Sequence, residues 1–277
     1  MSLGTSAGRQ FWDADITLSQ AAAQLRDPAQ MTAPYDSDPL DLTIFISCYN
    51  EAEYIIATVE TVIDAARAAG LSHEILVIDD GSRDNSRQLV ADYIASHPTE
   101  NIVLRANRLN KGLAQNYMDG AFLGRGKYYR LICGDNAEPR ESIFAVFNAI
   151  GRADIIIPYY TSSEGKGLRR RLISSTYTTI VNLVTGNRLH YYNGLAVHLR
   201  YNVIRWHPNT RGFGFQADIL CLLMDLGFSY LEVPIVTVEQ RRGGSNALTL
   251  RNFLSVGHTL VEIANRRISN RVYRRKR

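Results

Sequence analysis

The sequence predicts an α/β fold with a mostly parallel central sheet that is covered by helices on both faces. The first observation is that short apolar segments alternate with longer helical segments from residue 41 onward, which is typical of parallel sheets. The second is a hydrophobic content of 45% in 277 residues, enough for one large domain or two small ones. The third is that polar residues follow directly after several of the apolar segments.

The first half of the chain contains five predicted strands and four predicted helices. The strands lie at residues 42–47, 74–79, 102–104, 128–133 and 154–157. The helices between them lie at residues 51–69, 85–96, 111–123 and 139–150. Strands of this kind are buried on both faces, which accounts for their unbroken apolar runs.

The second half is less regular. Helices are predicted at residues 168–185 and 215–226, an extended segment at 230–238, and an amphipathic helix at 248–264. We therefore expect three regions: an N-terminal extension (1–39), a main domain (40–245), and an amphipathic helix with a basic tail (246–277). The boundary at residue 40 follows from the Ala, Asp, Pro and Ser content of the extension.

The positive charge is concentrated at the end of the chain. The last twelve residues hold seven arginines and lysines and no acid, and without them the net charge of +4 becomes −3. Such a tail suits an anionic membrane surface, and it is equally compatible with a solubilising end. Nucleic-acid binding is not expected, because no aromatic platform or reading motif accompanies the charge.

Polar clusters follow four of the predicted strands. They are SCYNE (47–51), DDGS (79–82), NKGLAQN (110–116) and GDN (134–136). Each cluster taken alone is compatible with a turn or a helix cap. Ligands of α/β sheets bind outside the carboxyl ends of the strands, so four clusters at such ends predict a binding site.

In this order the clusters resemble the family 2 glycosyltransferases, which have a GT-A nucleotide-diphospho-sugar transferase fold. The matching motifs begin with YNE (49–51), DDGS (79–82) and NKG (110–112), and continue with GFQAD (214–218), EVPI (232–235) and RRGGS (241–245). Within the family the chain is similar to the dolichol/polyprenol-phosphate sugar transferase branch. The resemblance divides the main domain into a nucleotide-sugar half (40–160) and an acceptor half (161–245).

The resemblance implies a donor site for a UDP- or GDP-linked sugar. Asp79 and Asp80 would accept hydrogen bonds from a base N–H or a ribose hydroxyl, and Tyr49 would offer a flat face to the base. The residues implied for this site are Tyr49, Glu51, Asp79, Asp80, Asn110, Lys111 and Gly112.

A divalent cation, Mg²⁺ or Mn²⁺, is implied at the diphosphate, because the leaving group carries two negative charges. The family usually has Asp-x-Asp where this chain has Cys133-Gly134-Asp135, so the first carboxylate is missing. Asp135 is therefore the predicted catalytic and metal-binding carboxylate, with Glu138 as a second ligand. The competing interpretation is that Asp135 caps the next helix.

The acceptor half is predicted to hold a lipid phosphate or a glycan. Positive charge would bind a phosphate, and the residues that resemble the family's acceptor motifs are Arg170, Arg171 and Ser175, with Arg241, Arg242 and Ser245. The two arginines of the second motif are also catalytic candidates. A sugar hydroxyl would instead require a base, for which Asp218 is the leading candidate, followed by His190 and His198. Asp218 is equally compatible with a helix N-terminal residue stabilised by the dipole.

The resemblance implies an inverting hexosyltransferase of cell-envelope polysaccharide biosynthesis, using a polyprenyl phosphate or a glycan intermediate as acceptor. Two alternatives stay open: a nucleotide-sugar-binding protein that has lost catalysis, and a sugar-phosphate nucleotidyltransferase. The second lacks support because SCYNEAE is not the Gly-rich loop that such enzymes carry after the first strand. Three dispersed cysteines predict a cytoplasmic protein. The amphipathic helices and the basic tail predict peripheral binding to the inner face of the membrane, and a dimer interface is the competing interpretation.

Overall fold

The computed structural model describes residues 40–163, 168–206, 214–238 and 250–273. Seven strands in these ranges form one sheet: β1 (Leu42–Cys48), β2 (His73–Asp79), β3 (Ile102–Ala106), β4 (Tyr128–Cys133), β5 (Ile155–Ser163), β6 (Val197–Leu199) and β7 (Tyr230–Thr237). Eight helices in the same ranges accompany them: α1 (Ile55–Ala68), α2 (Ser86–Ser96), α3 (Leu113–Leu123), α4 (Arg140–Phe147), α5 (Leu168–Thr185), α6 (Arg200–Arg205), α7 (Phe215–Asp225) and α8 (Leu250–Tyr273).

The strand order is β3-β2-β1-β4-β6-β5-β7, and the sheet is parallel except at β6. The short strand β6 runs antiparallel to both of its neighbours, β4 and β5. The predicted α/β class with a mostly parallel sheet and a C-terminal helix is confirmed. The sequence prediction did not include β6 or α6, because three and six residues are too few to show a periodicity.

Two apolar cores lie on opposite faces of the sheet. Ile44 and Ile46 of β1 pack with α1 and α4 on one face. Phe45, between them in sequence, packs with α3 and α7 on the other. This alternation follows from the period of two along a strand, and it places helices on both faces as predicted.

The first helix begins four residues later than predicted, at Ile55. The preceding turn is bound by the loop after β2: the Glu51 N–H donates to Ser86 Oγ (2.9 Å) and the Ala52 N–H donates to Asp84 Oδ2 (3.1 Å). These backbone groups therefore join two loops instead of starting the helix.

The last helix, α8, runs to Tyr273, beyond the predicted end at residue 264. None of the helices in the described part of the chain combines the length and the hydrophobicity that crossing a membrane requires. The N-terminal extension predicted for residues 1–39 lies outside the described residues.

Candidate functional site

The ends of β1, β2 and β4 bring three of the predicted clusters together. Strand β1 lies between the other two, with Cys48 opposite Asp79 and Ser47 opposite Cys133. Backbone hydrogen bonds continue this contact beyond the strands, from the Asp80 N–H to Cys48 O (2.8 Å) and from the Gly134 N–H to Ser47 O (2.9 Å). The segments that follow the three strands therefore meet at one edge of the sheet, as the parallel arrangement requires.

Asp80 accepts hydrogen bonds from the loop that follows β3. Its Oδ1 accepts from the side-chain amide of Asn107 (2.9 Å) and from the Lys111 N–H (2.8 Å). Its Oδ2 accepts from the Gly112 N–H (2.9 Å), and the residue is only 5% exposed. The sequence predicted Asp80 as a direct nucleotide ligand, whereas these contacts show both of its oxygens occupied by protein donors. Asp80 thereby holds the 110–112 loop beside the DDGS turn.

Asp79 has more acceptor capacity than its neighbour. Its Oδ1 accepts a long bond from the Ser82 N–H (3.3 Å), and its Oδ2 accepts none from the part of the chain that the structure describes. Burial, followed by the negative charge of Asp79, raises the pKa of the Cys48 thiol to about 12. Cys48 is therefore a neutral neighbour, and Asp79 is the carboxylate of the pair that can receive a further donor.

Tyr49 and Glu51 border the same edge. The Tyr49 side chain is 43% exposed, which leaves a ring face accessible. Glu51 lies against the turn after β4: a methyl group at Gly134 would lie 3.4 Å from Glu51 Cγ and 2.6 Å from Ser47 O. Only glycine fits this close approach, because the backbone oxygen of β1 cannot move aside.

Asp135 occupies a tight turn after β4 and does not cap a helix. Its Oδ1 accepts a 3.3 Å bond from the Ala137 N–H, and Asn136 adopts a positive φ of 49°. Helix α4 begins at Arg140 with Pro139 in the N-cap position and without a side-chain cap. The capping interpretation is therefore not supported, and the partly exposed Asp135 follows β4 at the edge where the other clusters meet.

Glu138, the second predicted metal ligand, is engaged by an arginine. Its Oε2 lies 2.6 Å from Arg130 Nη2, and the two side chains are 7% and 0% exposed. Cys133 stands where the family has its first Asp, and a thiol is a poor ligand for Mg²⁺ or Mn²⁺, which prefer oxygen. Burial and the nearby carboxylates of Asp135 and Glu138 raise the pKa of its thiol well above the usual range.

The residues present suit a cation that arrives with a diphosphate. The described residues contain no group of three or more histidines, cysteines or acids that could hold a metal by themselves. Mg²⁺ is commonly held by one or two carboxylates together with substrate phosphates, and Asp135 supplies one such carboxylate.

The predicted acceptor residues fall largely beyond the described side chains. Ser175 is exposed on α5. Arg170 and Arg171 belong to the same helix, although their side chains are outside what the structure describes. Arg241, Arg242 and Ser245 lie outside the described residues altogether.

The three base candidates are all engaged or buried. Asp218 is 3% exposed, and its carboxylate accepts from Trp206 Nε1 (2.9 Å) and from Arg266 Nη1 (2.5 Å). Burial lowers the pKa of His198 to about 3. His190 Nδ1 lies 2.8 Å from Glu232 Oε2. These contacts favour the structural interpretation of Asp218, as a residue of the first turn of α7 that anchors α8.

Sequence reasoning missed two residues of the site. Asn107 joins Asp80 to Asn116, donating to the Oδ1 of each at 2.9 and 2.7 Å. Arg130 is buried beneath the Asp135 turn through its contact with Glu138. An arginine in the middle of the apolar strand YYRLIC was the signal for Arg130, and a polar residue directly after β3 was the signal for Asn107.

The fold is that of the GT-A class of glycosyltransferases. A family model described as "Glycosyl transferase family 2" matches residues 43–205, more than half of the chain, and the chain belongs to this family. The predicted family is therefore confirmed.

The curated relatives include dolichyl-phosphate and undecaprenyl-phosphate sugar transferases. The dolichyl-phosphate beta-glucosyltransferase of Dictyostelium discoideum is 30% identical over 110 residues, which cover 37% of this chain and 34% of that protein. The undecaprenyl-phosphate mannosyltransferase of Micrococcus luteus is 26% identical over 215 residues, covering 74% and 86%. The chain spans between 34% and 51% of the length of the first curated relatives that it matches.

Solved structures support the fold. The glucosyl-3-phosphoglycerate synthase of Mycobacterium tuberculosis, in complex with Mn²⁺, UDP-glucose and phosphoglyceric acid, has a TM-score of 0.60 at 17% identity. The match covers 82% of this chain and 80% of that one. At this identity the likeness establishes the GT-A fold alone.

Proposed function

We propose that the chain is an inverting glycosyltransferase that transfers a hexose from a UDP- or GDP-linked donor to a polyprenyl phosphate. The observation that carries the proposal is the meeting of Asp79, the 110–112 loop and Asp135 at the carboxyl ends of β1, β2 and β4. The names of the similar transferases support the lipid-phosphate acceptor. A glycan intermediate of the cell envelope is the other acceptor to test.

The donor residues have distinct roles in this proposal. Asp79 Oδ2 accepts a hydrogen bond from the base or the ribose, and the exposed ring of Tyr49 stacks on the base. Asp80 places the Lys111 and Gly112 backbone beside them. Asp135 would hold Mg²⁺ or Mn²⁺, which supplies positive charge to the departing diphosphate.

The state of the base candidates favours a phosphate acceptor. A phosphate nucleophile carries its own negative charge, so no side chain has to remove a proton. Asp218 and His198 are buried, and Asp218 is bonded to Trp206 and Arg266, which agrees with a reaction that needs no base. His190, exposed and held at Nδ1 by Glu232, is the base candidate for a hydroxyl acceptor. The phosphate oxygen attacks the anomeric carbon on the face opposite the diphosphate, and this displacement inverts the configuration.

The acceptor phosphate requires cationic and hydroxyl partners. We assign this role to Arg170, Arg171 and Ser175 of α5, and to Arg241, Arg242 and Ser245. Arg266 and Arg267 pair with Asp218 and Asp225, so the other five basic residues of the last twelve attach the enzyme to an anionic leaflet, because each contributes about 1 kcal/mol near such a surface.

Calorimetric titration with UDP and with GDP, each with and without Mn²⁺, tests the donor site. We expect one nucleotide to bind at micromolar concentration, and Asp135→Ala to abolish the increase in affinity that the metal gives. Tight binding that is indifferent to both the metal and Asp135 would contradict the role of this carboxylate. Absence of binding by both nucleotides would contradict the donor site itself.

A catalytically inactive nucleotide-sugar-binding protein is the second candidate, and Cys133 in place of the family's first Asp is the observation that favours it. Donor turnover separates the two candidates. Release of nucleoside diphosphate that requires a short-chain polyprenyl phosphate supports the transferase. Nucleotide binding without turnover, with either a lipid-phosphate or a glycan acceptor, supports the binding protein.

A further inference from the structure

Arg130 is a charged side chain enclosed within the sheet. It lies in the middle of β4 and is 0% exposed, although its neighbours on the strand are apolar or aromatic. Removing a guanidinium from water is costly unless the surrounding groups compensate for it. The contacts of Arg130 therefore indicate what this charge accomplishes.

The guanidinium joins two separate segments of the chain. Its Nη2 donates to Glu138 Oε2 (2.6 Å), and its Nε donates to the carbonyl oxygen of Leu195 (3.1 Å). The Phe147 ring of α4 lies against it, with 5.5 Å between Cζ and the ring centroid. Arg130 Nη1 and Glu138 Oε1 have no hydrogen-bond partner within the described ranges.

The first segment carries the Asp135 turn of the candidate site, and the second leads into β6. Glu138 follows Asp135 by three residues and closes the turn that carries this carboxylate. Leu195 follows Gly194, whose backbone presses on β5 so closely that an added methyl group would lie 1.8 Å from Pro158 O. One buried cation thus links the Asp135 turn to the segment that enters β6 in the acceptor half.

Stability alone does not account for this pair. A buried ion pair is often no more stabilising than apolar residues of similar volume, and two atoms of this pair lack hydrogen bonds. A fixed buried charge does, however, hold its partner in one place and orientation.

We propose that Arg130 and Glu138 are positioning residues, which hold the Asp135 turn in the geometry that receives the metal–diphosphate of the donor. The inference rests on the proposed donor site and deepens it. It assigns to Glu138 a role through Asp135, in place of direct ligation of the cation. Replacing a residue that orients a metal ligand through a hydrogen bond typically lowers metal affinity or activity by about 10- to 100-fold.

The affinity for the bound nucleotide, UDP or GDP, measured with and without Mn²⁺, tests the inference. The main variant is Arg130→Met/Glu138→Leu, which removes both charges and keeps the volume apolar, so that no uncompensated charge is buried. We expect its affinity with Mn²⁺ to fall by about tenfold. Its affinity without metal is expected to stay within about twofold of wild type, because Asp79 and Tyr49 are untouched.

Two further variants separate positioning from ligation. Glu138→Gln keeps an oxygen that accepts from Arg130, so a positioning role predicts that this conservative variant retains its metal-dependent affinity within about threefold. A direct ligand would lose about tenfold or more with its charge. Adding Arg130→Met/Glu138→Leu to Asp135→Ala is expected to change nothing further, because the pair acts through Asp135.

The matched control is Arg67→Met/Glu100→Leu, which removes an exposed ion pair at the opposite end of the strands, just before β3. We expect wild-type affinity from it. A tenfold loss in Glu138→Gln, or wild-type metal-dependent affinity in folded Arg130→Met/Glu138→Leu, overturns the inference alone. Failure of the wild-type protein to bind either nucleotide overturns the proposed donor site and this inference with it.

Discussion

Replacement of Asp80 by alanine tests whether this carboxylate organises the 110–112 loop. The substitution removes the acceptor of three hydrogen bonds, from Asn107, Lys111 and Gly112. The Lys111 and Gly112 N–H groups are partly accessible and can turn to water, so each bond contributes about 1 kcal/mol. The amide of Asn107 is buried and cannot do so, which adds about 2 kcal/mol.

We therefore expect Asp80→Ala to lower the free energy of unfolding by about 4 kcal/mol, measured by urea denaturation. Asp80→Asn should lower it by about half as much, because one oxygen remains while an NH₂ group opposes one of the donors. The control is Asp92→Ala, which removes an exposed carboxylate on α2 that accepts from Gln88, and we expect a change below about 0.5 kcal/mol. A loss below about 1 kcal/mol in Asp80→Ala, with nucleotide binding abolished, would refute the reasoning and return Asp80 to the nucleotide.

Three more predictions concern packing, pH and the last helix. Gly194→Ala forces a methyl group to 1.8 Å from Pro158 O and should destabilise the fold by about 3 kcal/mol, whereas Gly257→Ala, with open space around it, should be neutral or stabilising in the same urea assay. Burial lowers the pKa of His198 from 6.5 to about 3, so the unfolded state binds a proton that the folded state does not. Because of this group, the free energy of unfolding should fall by up to about 1.4 kcal/mol per pH unit as the pH drops from 6.5 towards 3. If His198→Gln left the pH dependence of stability unchanged, this would be contradicted. Arg266→Met leaves Asp218 buried without its cation and should lower the free energy of unfolding by about 3 kcal/mol. We expect faster proteolytic cleavage within α8, which adding Asp218→Asn should partly reverse. An unchanged cleavage rate would exclude an anchoring role.

The strands of the first half were predictable because each is a mostly apolar run that turn-forming residues follow. Four strands, β1 to β4, begin and end within about two residues of the sequence prediction. A Gly, Asp or Asn lies within two residues of the end of each strand. The placement of β6 between β4 and β5 was not predictable. Its three residues pair antiparallel with Arg130 and its neighbours, and this pairing depends on the sheet already formed.

The candidate site was predictable as a place and less so as a set of roles. Parallel strands bring their carboxyl ends together, so the meeting of the DDGS turn with the Asp135 turn follows from the fold class. The division of labour between Asp79 and Asp80 does not, because adjacent side chains at a strand end point in different directions. Asn107, whose side-chain amide donates to Asp80, lies 27 residues further along the chain.

Glu138 shows how spacing misleads at a turn. It follows Asp135 by three positions, a spacing at which two carboxylates readily share a cation. The positive φ of Asn136 reverses the backbone between them, and Glu138 enters the interior while Asp135 stays at the edge. Glu138 is stable in the interior only because it pairs with the buried Arg130. Arg130 lies on that face of the sheet because Tyr129 and Leu131 face the opposite core. The alternation of one strand thus decides which of two nearby acids stays at the edge of the sheet, and it does so through a residue that precedes both.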